Sequence, residues 1–159
     1  MMPKEFIQGV LINEIDDIVE RHPYLAFCLI AIGIEFLGKC LLTDEKDWHK
    51  IPPKKAFEKG LDLLIKENPK YGELDLRSEL RNGFAHTFLP KSTIALSEVR
   101  HGAIHFSPLK VPNEKDRTIL VVEILFRDFV RACKHVIKKK FPNNDKMKKP
   151  FNRVHHDYE

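Results

Sequence analysis

The apolar stretch at residues 24–42 restricts the fold more than any other part of the chain. Glu35 and Lys39 interrupt it, and the uncharged part that precedes Glu35 is much shorter than the roughly 20 residues a membrane-spanning helix needs. Pro23 stands at its start, and proline is favoured in the first turn of a helix. The stretch therefore predicts one buried helix wrapped by others, as in a helical bundle without a membrane partner.

Amphipathic segments on both sides predict the surrounding helices. Apolar residues recur at helical spacing over residues 6–21, 54–67, 75–88 and 118–141. Before the last of these, the pattern alternates over 93–99 and 103–109, and Arg100-His101-Gly102 lies between as a turn. That alternation predicts a short β-hairpin. We therefore expect an all-α fold, a bundle of about five helices with a short β-hairpin inserted before the last helix.

Composition agrees with one folded domain. The chain has 159 residues, of which 43% are hydrophobic and 31% charged, so it can bury a core. Residues 142–159 are basic and lack periodicity, which predicts a helical domain at 1–141 followed by a loosely ordered tail. The net charge of +4 permits a nucleic-acid partner without requiring one.

Cysteine placement and the first residues bear on cellular location. Three cysteines lie in apolar helical segments without metal-ligand spacing, which predicts buried, reduced thiols. The N-terminal residues have no signal-peptide layout. We expect a cytoplasmic protein that needs no metal and no cofactor.

Residues 80–86 read Leu-Arg-Asn-Gly-Phe-Ala-His, on a predicted helix that Pro90 brings to an end. A glycine inside a helix costs about 1 kcal/mol relative to alanine, which makes Gly83 an expensive choice for a purely structural helix. At 100° per residue Arg81, Asn82 and His86 lie away from an apolar stripe. That stripe consists of Leu76, Leu80, Phe84 and Phe88. The polar trio therefore faces water or a second protein surface.

The spacing of Arg81 and His86 is weak evidence by itself. Arg100 and His105 repeat it inside the predicted hairpin, where alternation would separate the two side chains. Only the copy on a helix, opposite an apolar stripe, predicts a converging site.

With that context, residues 80–86 resemble the R-x4-H signature of the HEPN superfamily, the higher eukaryotes and prokaryotes nucleotide-binding domain. The resemblance covers about residues 4–141, with two long helices before the motif helix and another after it. It implies a metal-independent endoribonuclease whose composite site forms at a homodimer interface. It also implies a toxin or defence component with an RNA substrate and an antitoxin or other protein partner.

The resemblance assigns roles to three residues. His86 would act as general acid or base at the RNA 2′-OH and leaving oxygen. Arg81 would hold the phosphate, and Asn82 would orient the histidine or the phosphate. The expected products are a 2′,3′-cyclic phosphate and a 5′-OH. Phe88 stands where some members carry a modifiable tyrosine, so that regulation is not expected here.

A second interpretation is a non-catalytic HEPN-fold module that binds nucleotide, RNA or a protein. The modest charge and the lack of an aromatic RNA-binding platform favour it, whereas the intact Arg81, Asn82 and His86 favour the enzyme.

Two further groups leave alternatives open. Glu35 could pair with Lys39 one helical turn later, or pack against Arg81 or Arg77 and support the motif. Basic residues near the end of the last helix could track RNA phosphates, or simply favour a helix C-terminus. They are Lys138, Lys139 and Lys140.

Overall fold

The computed structural model describes residues 2–43, 48–83 and 93–142. Helix α1 runs without a break through Pro3–Phe6, Ile7–Glu14 and Ile15–Val19, and its middle part has π-helical hydrogen bonding. Helix α2 spans Pro23–Leu42 and helix α3 spans Pro53–Glu67. Short 3₁₀ turns at Trp48–Lys50 and Pro69–Glu73 lie on either side of α3. The predicted start of α2 at Pro23 is confirmed.

The second half of the chain contains the motif helix, a small sheet and the last helix. Helix α4 is the π-helical segment Arg77–Asn82. Strands β1, β2 and β3 are Ile94–Ser97, Pro108–Leu109 and Arg117–Val121, and helix α5 spans Val122–Lys140. The fold is thus mostly helical with a three-stranded sheet, in broad agreement with the predicted bundle.

Helix α2 packs closely against α3 because two glycines remove the side chains between them. A methyl group on Gly38 would overlap the carbonyl oxygen of Ala56, and one on Gly60 would overlap that of Ile34. The inner side of α2 is fully buried at Ile30, Ile34 and Leu37. This contact fixes α2 and α3 as the centre of the core.

The outer side of α2 is exposed, which corrects the expectation of a helix wrapped all round. Ile32 is 62% exposed and Leu25 is 49% exposed. Of the helices in the described ranges, α2 alone is long and apolar enough to cross a membrane, and 50% of its apolar window is buried inside the fold.

The predicted hairpin is wrong. Strand β1 pairs in parallel with β3, with Ile94 opposite Thr118, and β2 pairs antiparallel with β3. The turn at Gly102 is present, with φ of 68°, but the following residues do not extend into a strand. Phe106 has φ of 64°, which takes the backbone out of the extended region and ends the alternation.

The last helix begins later than predicted. Residues 118–121 form part of β3 instead of a first helical turn, and α5 starts at Val122. Thr118, Ile119 and Val121 are β-branched, which favours a strand, and Leu120 and Val121 are buried there. The predicted tail lies outside the described residues beyond residue 142.

Candidate functional site

Helix α4 places one side in the core and one side at the surface. Leu76 and Leu80 of the predicted apolar stripe are fully buried, and its other members, Phe84 and Phe88, lie outside the described residues. Glu79 is also buried, and its Oε2 accepts a hydrogen bond from the Thr93 N–H at 3.2 Å. Because these residues occupy the inner side, Arg81 and Asn82 remain half-buried on the outer side.

The hydrogen bonding of α4 differs from an ordinary helix. The N–H of Gly83 bonds to the carbonyls of Leu80 and Ser78, the second of these five residues earlier. Gly83 has ordinary right-handed helical angles, with φ of −56°, so the backbone conformation does not require a glycine there. π-helical turns are rare and occur frequently at functional sites. The turn changes the angular position of Arg81 relative to a helix of 3.6 residues per turn.

An ion pair holds Arg81. Its Nε donates to Glu35 Oε2 at 3.0 Å, and Glu35 lies on α2, 46 residues earlier in the chain. Lys39 Nζ lies 3.9 Å from the other oxygen of Glu35. Both sequence alternatives for Glu35 therefore occur together, because α4 crosses α2 at the point where Glu35 and Lys39 stand one turn apart. One carboxylate between two cations leaves a net positive charge.

Of the other predicted site residues, the fold brings Asn82 to Arg81 but does not bring Arg77 to Glu35. Arg81 Nη1 lies 3.4 Å from Asn82 Oδ1, so these two side chains converge. Within the described residues Arg77 forms no hydrogen bond or ion pair with Glu35. His86 lies outside the described residues, and its role stays a prediction.

A large cavity opens beside the Arg81–Glu35 pair. Its volume is about 970 Å³, and it follows the outer side of α2 from His22 to Lys39. Arg81, Phe6 and Trp48 line it as well. We call this space the α2 cavity.

Three aromatic rings from separate segments meet in the wall of the α2 cavity. The ring centroids of Phe6 and Phe36 are 4.8 Å apart, and those of Phe36 and Trp48 are 5.3 Å apart. Lys39 Nζ lies 6.0 Å from the Trp48 ring. The sequence did not reveal this cluster, because these residues are distant in the chain and meet only in the fold. Whether it binds RNA stays untested by the fold.

The second copy of the motif spacing does not form a site. Arg100 is exposed, and its Nε pairs with Glu98 Oε2 at 2.6 Å. His105 instead lies against the Phe106 ring, with centroids 4.0 Å apart. The two side chains go to different places, although residues 103–107 do not form the strand on which the expected separation depended.

His105 belongs to a buried polar network that the sequence did not reveal. Its Nδ1 accepts from the Val121 N–H at 2.9 Å, and its Nε2 lies 3.1 Å from the Tyr71 hydroxyl. That hydroxyl donates to Asp128 Oδ2 at 3.0 Å. Because Nδ1 accepts, the neutral ring carries its proton on Nε2 and donates it to Tyr71. Both ring nitrogens are occupied, so His105 has no lone pair for catalysis or for a metal.

Burial shifts the pKa values in this network away from the charged forms. Burial lowers the pKa of His105 to about 4, against an opposing effect of the Asp128 charge. Burial, with a further contribution from Asp128, raises the pKa of Tyr71 well above its ordinary value. Asp128 keeps partners on its second oxygen, with Arg127 Nε at 3.3 Å and Arg131 Nη1 at 3.5 Å. The network is a structural bridge between the Pro69–Glu73 turn, β3 and α5.

The other predicted groups lie elsewhere. The basic residues Lys138, Lys139 and Lys140 occupy the last turn of α5. No group of three or more His, Cys, Asp or Glu that could hold a metal ion is found among the described residues. Cys40 and Cys133 are buried, and burial raises the pKa of Cys40 to about 12.

Comparison of the chain with protein-family models, with curated proteins and with solved structures gives no match. The resemblance carried by residues 80–86 therefore stays a prediction from the sequence.

Proposed function

We propose that this protein is a metal-independent endoribonuclease of the HEPN type, with a composite site at a homodimer interface. The observation that carries the proposal is the Arg81–Glu35 ion pair at 3.0 Å, at the edge of the α2 cavity. Arg81 is 29% exposed, so its charge is both fixed in position and open to a ligand. A preorganised guanidinium beside a concave surface is what phosphate recognition needs.

The proposed chemistry is transfer within the RNA backbone. The 2′-oxygen loses its proton, attacks the adjacent phosphorus and displaces the 5′-oxygen, which takes up a proton. His86 moves these protons as general base or acid, since imidazole titrates near neutral pH. Arg81 binds the phosphate and stabilises the charge that develops on its oxygens. The contacts with Glu35 and Asn82 use only some of the N–H donors of a guanidinium.

The central test is cleavage of several RNAs in the presence of EDTA. We expect cleavage by the wild type and none by His86→Ala or Arg81→Ala. His101→Ala is the matched control, because His101 is exposed on a turn outside the motif helix. Cleavage lost on adding the chelator would rule out the metal-free mechanism. No cleavage by the wild type on any RNA would rule out the enzyme.

Glu35 has the role of a positioning residue. Glu35→Gln keeps the side-chain shape but removes the charge that holds Arg81, so we expect a lower kcat with a smaller change in KM. In an Arg81→Ala background the same substitution should have no further effect on kcat. An equal effect in both backgrounds would show that Glu35 acts independently of Arg81.

The homodimer is tested by following specific activity against protein concentration. A composite site predicts that specific activity rises through the concentration range in which sedimentation detects a change from monomer to dimer. Constant specific activity in a range where the protein is monomeric would contradict the composite site. A toxin or defence role, with an antitoxin or other protein partner, belongs to the same proposal and depends on this activity.

The α2 cavity favours one alternative, a non-catalytic binding module. Cavities of this size, lined by apolar side chains with a few polar groups, are typical of ligand sites. Ligand binding without cleavage of any RNA would support that alternative.

A further inference from the structure

We propose that the α2 cavity is a nucleobase pocket, in which Arg81 and Lys39 bind a phosphate while the base stacks on the aromatic wall. The proposal rests on the phosphate-binding role of Arg81 proposed above and extends it to the ligand class. That class is a nucleotide unit of single-stranded RNA.

Aromatic rings form one wall of the α2 cavity. Phe36 and Trp48 are both half-buried, so their rings are packed in place yet line the cavity. The Phe36 ring meets the Trp48 ring at an interplanar angle of 64°, which fixes the two planes relative to each other. Bases of single-stranded nucleic acid are held mainly by stacking on such side chains. The wall therefore suits a flat aromatic ligand.

Charged side chains lie at the same end of the cavity. Glu35 lies between Arg81 and Lys39, and Lys39 lies on the same side of α2 as the Trp48 ring. The two cations and one carboxylate give a net charge of one positive unit beside the aromatic wall. A nucleotide joins a flat ring to an anionic phosphate, so one ligand satisfies both features.

The cavity is also long. It follows α2 from residue 22 to residue 39, about 25 Å at 1.5 Å per residue. That is longer than one base, and the far part of the wall has the Tyr24 ring beside the apolar side chains of Leu25 and Ile32. A single-stranded chain whose neighbouring base enters this far part fits the length better than an isolated phosphate.

Trp48 provides a direct readout, because it is the one tryptophan of the chain. Its fluorescence is followed while adenosine monophosphate is added to the full-length protein. Ribose 5-phosphate lacks the base, and dodecyl phosphate has an alkyl chain in place of the nucleoside. We expect the Trp48 fluorescence to change saturably with adenosine monophosphate. At the same concentration, ribose 5-phosphate and dodecyl phosphate should leave the fluorescence unchanged. Slower modification of Cys28 by a thiol reagent in the presence of the nucleotide is a second readout, since Cys28 lines the cavity.

Two substitutions separate the two halves of the pocket. Phe36→Leu removes a ring but keeps an apolar side chain, and should weaken nucleotide binding roughly 5- to 150-fold. Lys39→Gln should weaken binding of the nucleotide and make its salt dependence shallower, because it removes one phosphate contact. Lys59→Gln is the matched control, as this lysine pairs with Asp62 on α3 and should leave binding unchanged. Circular dichroism of each variant establishes that it is folded.

Three results would overturn the proposal. Dodecyl phosphate that binds more tightly than the nucleotide would make the cavity a site for an alkyl chain. Trp48 emission that depends on protein concentration but not on nucleotide would mean that a second copy covers it. Unchanged nucleotide affinity in the folded Phe36→Leu and Lys39→Gln variants would place the ligand elsewhere.

These outcomes are distinguishable from failure of the ribonuclease proposal. Nucleotide binding at Trp48 without RNA cleavage would support the pocket and refute the enzyme. Cleavage that needs His86, together with no effect of nucleotides on Trp48 or on Cys28, would support the enzyme and refute the pocket.

Discussion

The hydroxyl of Tyr71 offers the sharpest test of the fold, because one oxygen atom joins two other polar groups. Tyr71 is fully buried, and its hydroxyl lies 3.1 Å from His105 Nε2 and 3.0 Å from Asp128 Oδ2. Tyr71→Phe removes that oxygen and leaves the ring that packs against Phe106, with centroids 4.9 Å apart. The substitution therefore isolates the hydrogen bonds from the packing.

The expected cost follows from which partners can find water. Asp128 is 3% exposed, so its Oδ2 would be buried without a donor. His105 is half-buried, so water can replace the lost partner of its N–H. A buried group left unpaired costs about 1–3 kcal/mol, and more when it is charged. Since the second oxygen of Asp128 keeps its arginine partners, we expect a loss of about 2–3 kcal/mol in the free energy of unfolding.

The assay is equilibrium unfolding in urea, with thermal unfolding alongside. The midpoint should fall while the m-value stays the same, because the folded state buries the same surface. For a chain of this length, a loss of about 2–3 kcal/mol lowers the melting temperature by roughly 4–12 °C. Tyr24→Phe is the matched control, since Tyr24 is 40% exposed and water can replace the hydroxyl as a hydrogen-bond partner.

A loss below about 0.5 kcal/mol in Tyr71→Phe would refute this reasoning, because it would put the substitution in the range of ordinary surface changes. An equal loss in Tyr24→Phe would refute it too, since the effect would then not depend on burial. A double-mutant cycle with Asp128→Asn measures the coupling directly, and additive effects would mean that the hydroxyl and the carboxylate do not interact.

Three further predictions follow from the same structure. The pKa of His105 is lower in the folded protein, about 4 against an ordinary 6.5, so its contribution to stability is complete above pH 6.5 and is lost as the pH falls towards 4. With partial exposure taken into account this contribution is about 1–2 kcal/mol. Urea unfolding of the wild type should show the loss between pH 7 and pH 4.5, whereas His105→Gln should not show it. The same loss in His105→Gln would mean that other groups cause it. Gly38→Ala should lower stability by several kcal/mol, because a methyl group there overlaps a backbone carbonyl of α3, and a change below about 1 kcal/mol in thermal unfolding would mean that the helices separate easily. Cys28 should react with a thiol reagent in the native protein, whereas Cys40 and Cys133 should react only after unfolding, and rapid labelling of all three would contradict their burial.

Helix placement was largely available from the sequence because it depends on local signals. Pro23 stands at the start of α2 and Asn68-Pro69 at the end of α3, and those two bounds follow from them. The small sheet was not available in the same way. The alternation after residue 103 has the period of a strand, yet the positive φ of Phe106 and the pairing of β1 with β3 depend on contacts with residues 117–121.

The candidate site also has a part that local spacing predicts and a part that depends on the fold. The sequence placed Arg81 and Asn82 opposite a buried stripe, because helical spacing alone determines which residues share a side. It could not decide between Lys39 and Arg81 as the partner of Glu35, and the fold provides both. That answer depends on where α4 crosses α2, which is a property of packing between distant segments.

What the sequence determined by itself is therefore the local part: the helices, their apolar sides and the polar residues left outside. The tertiary structure alone decided that Phe6, Phe36 and Trp48 meet, that they meet beside Arg81, and that Tyr71 joins His105 to Asp128. The physical reason is that periodicity reports the environment of each segment, whereas contacts between segments depend on how closely the helices approach. Here that approach is set by glycines at the α2–α3 contact, whose effect no local pattern shows.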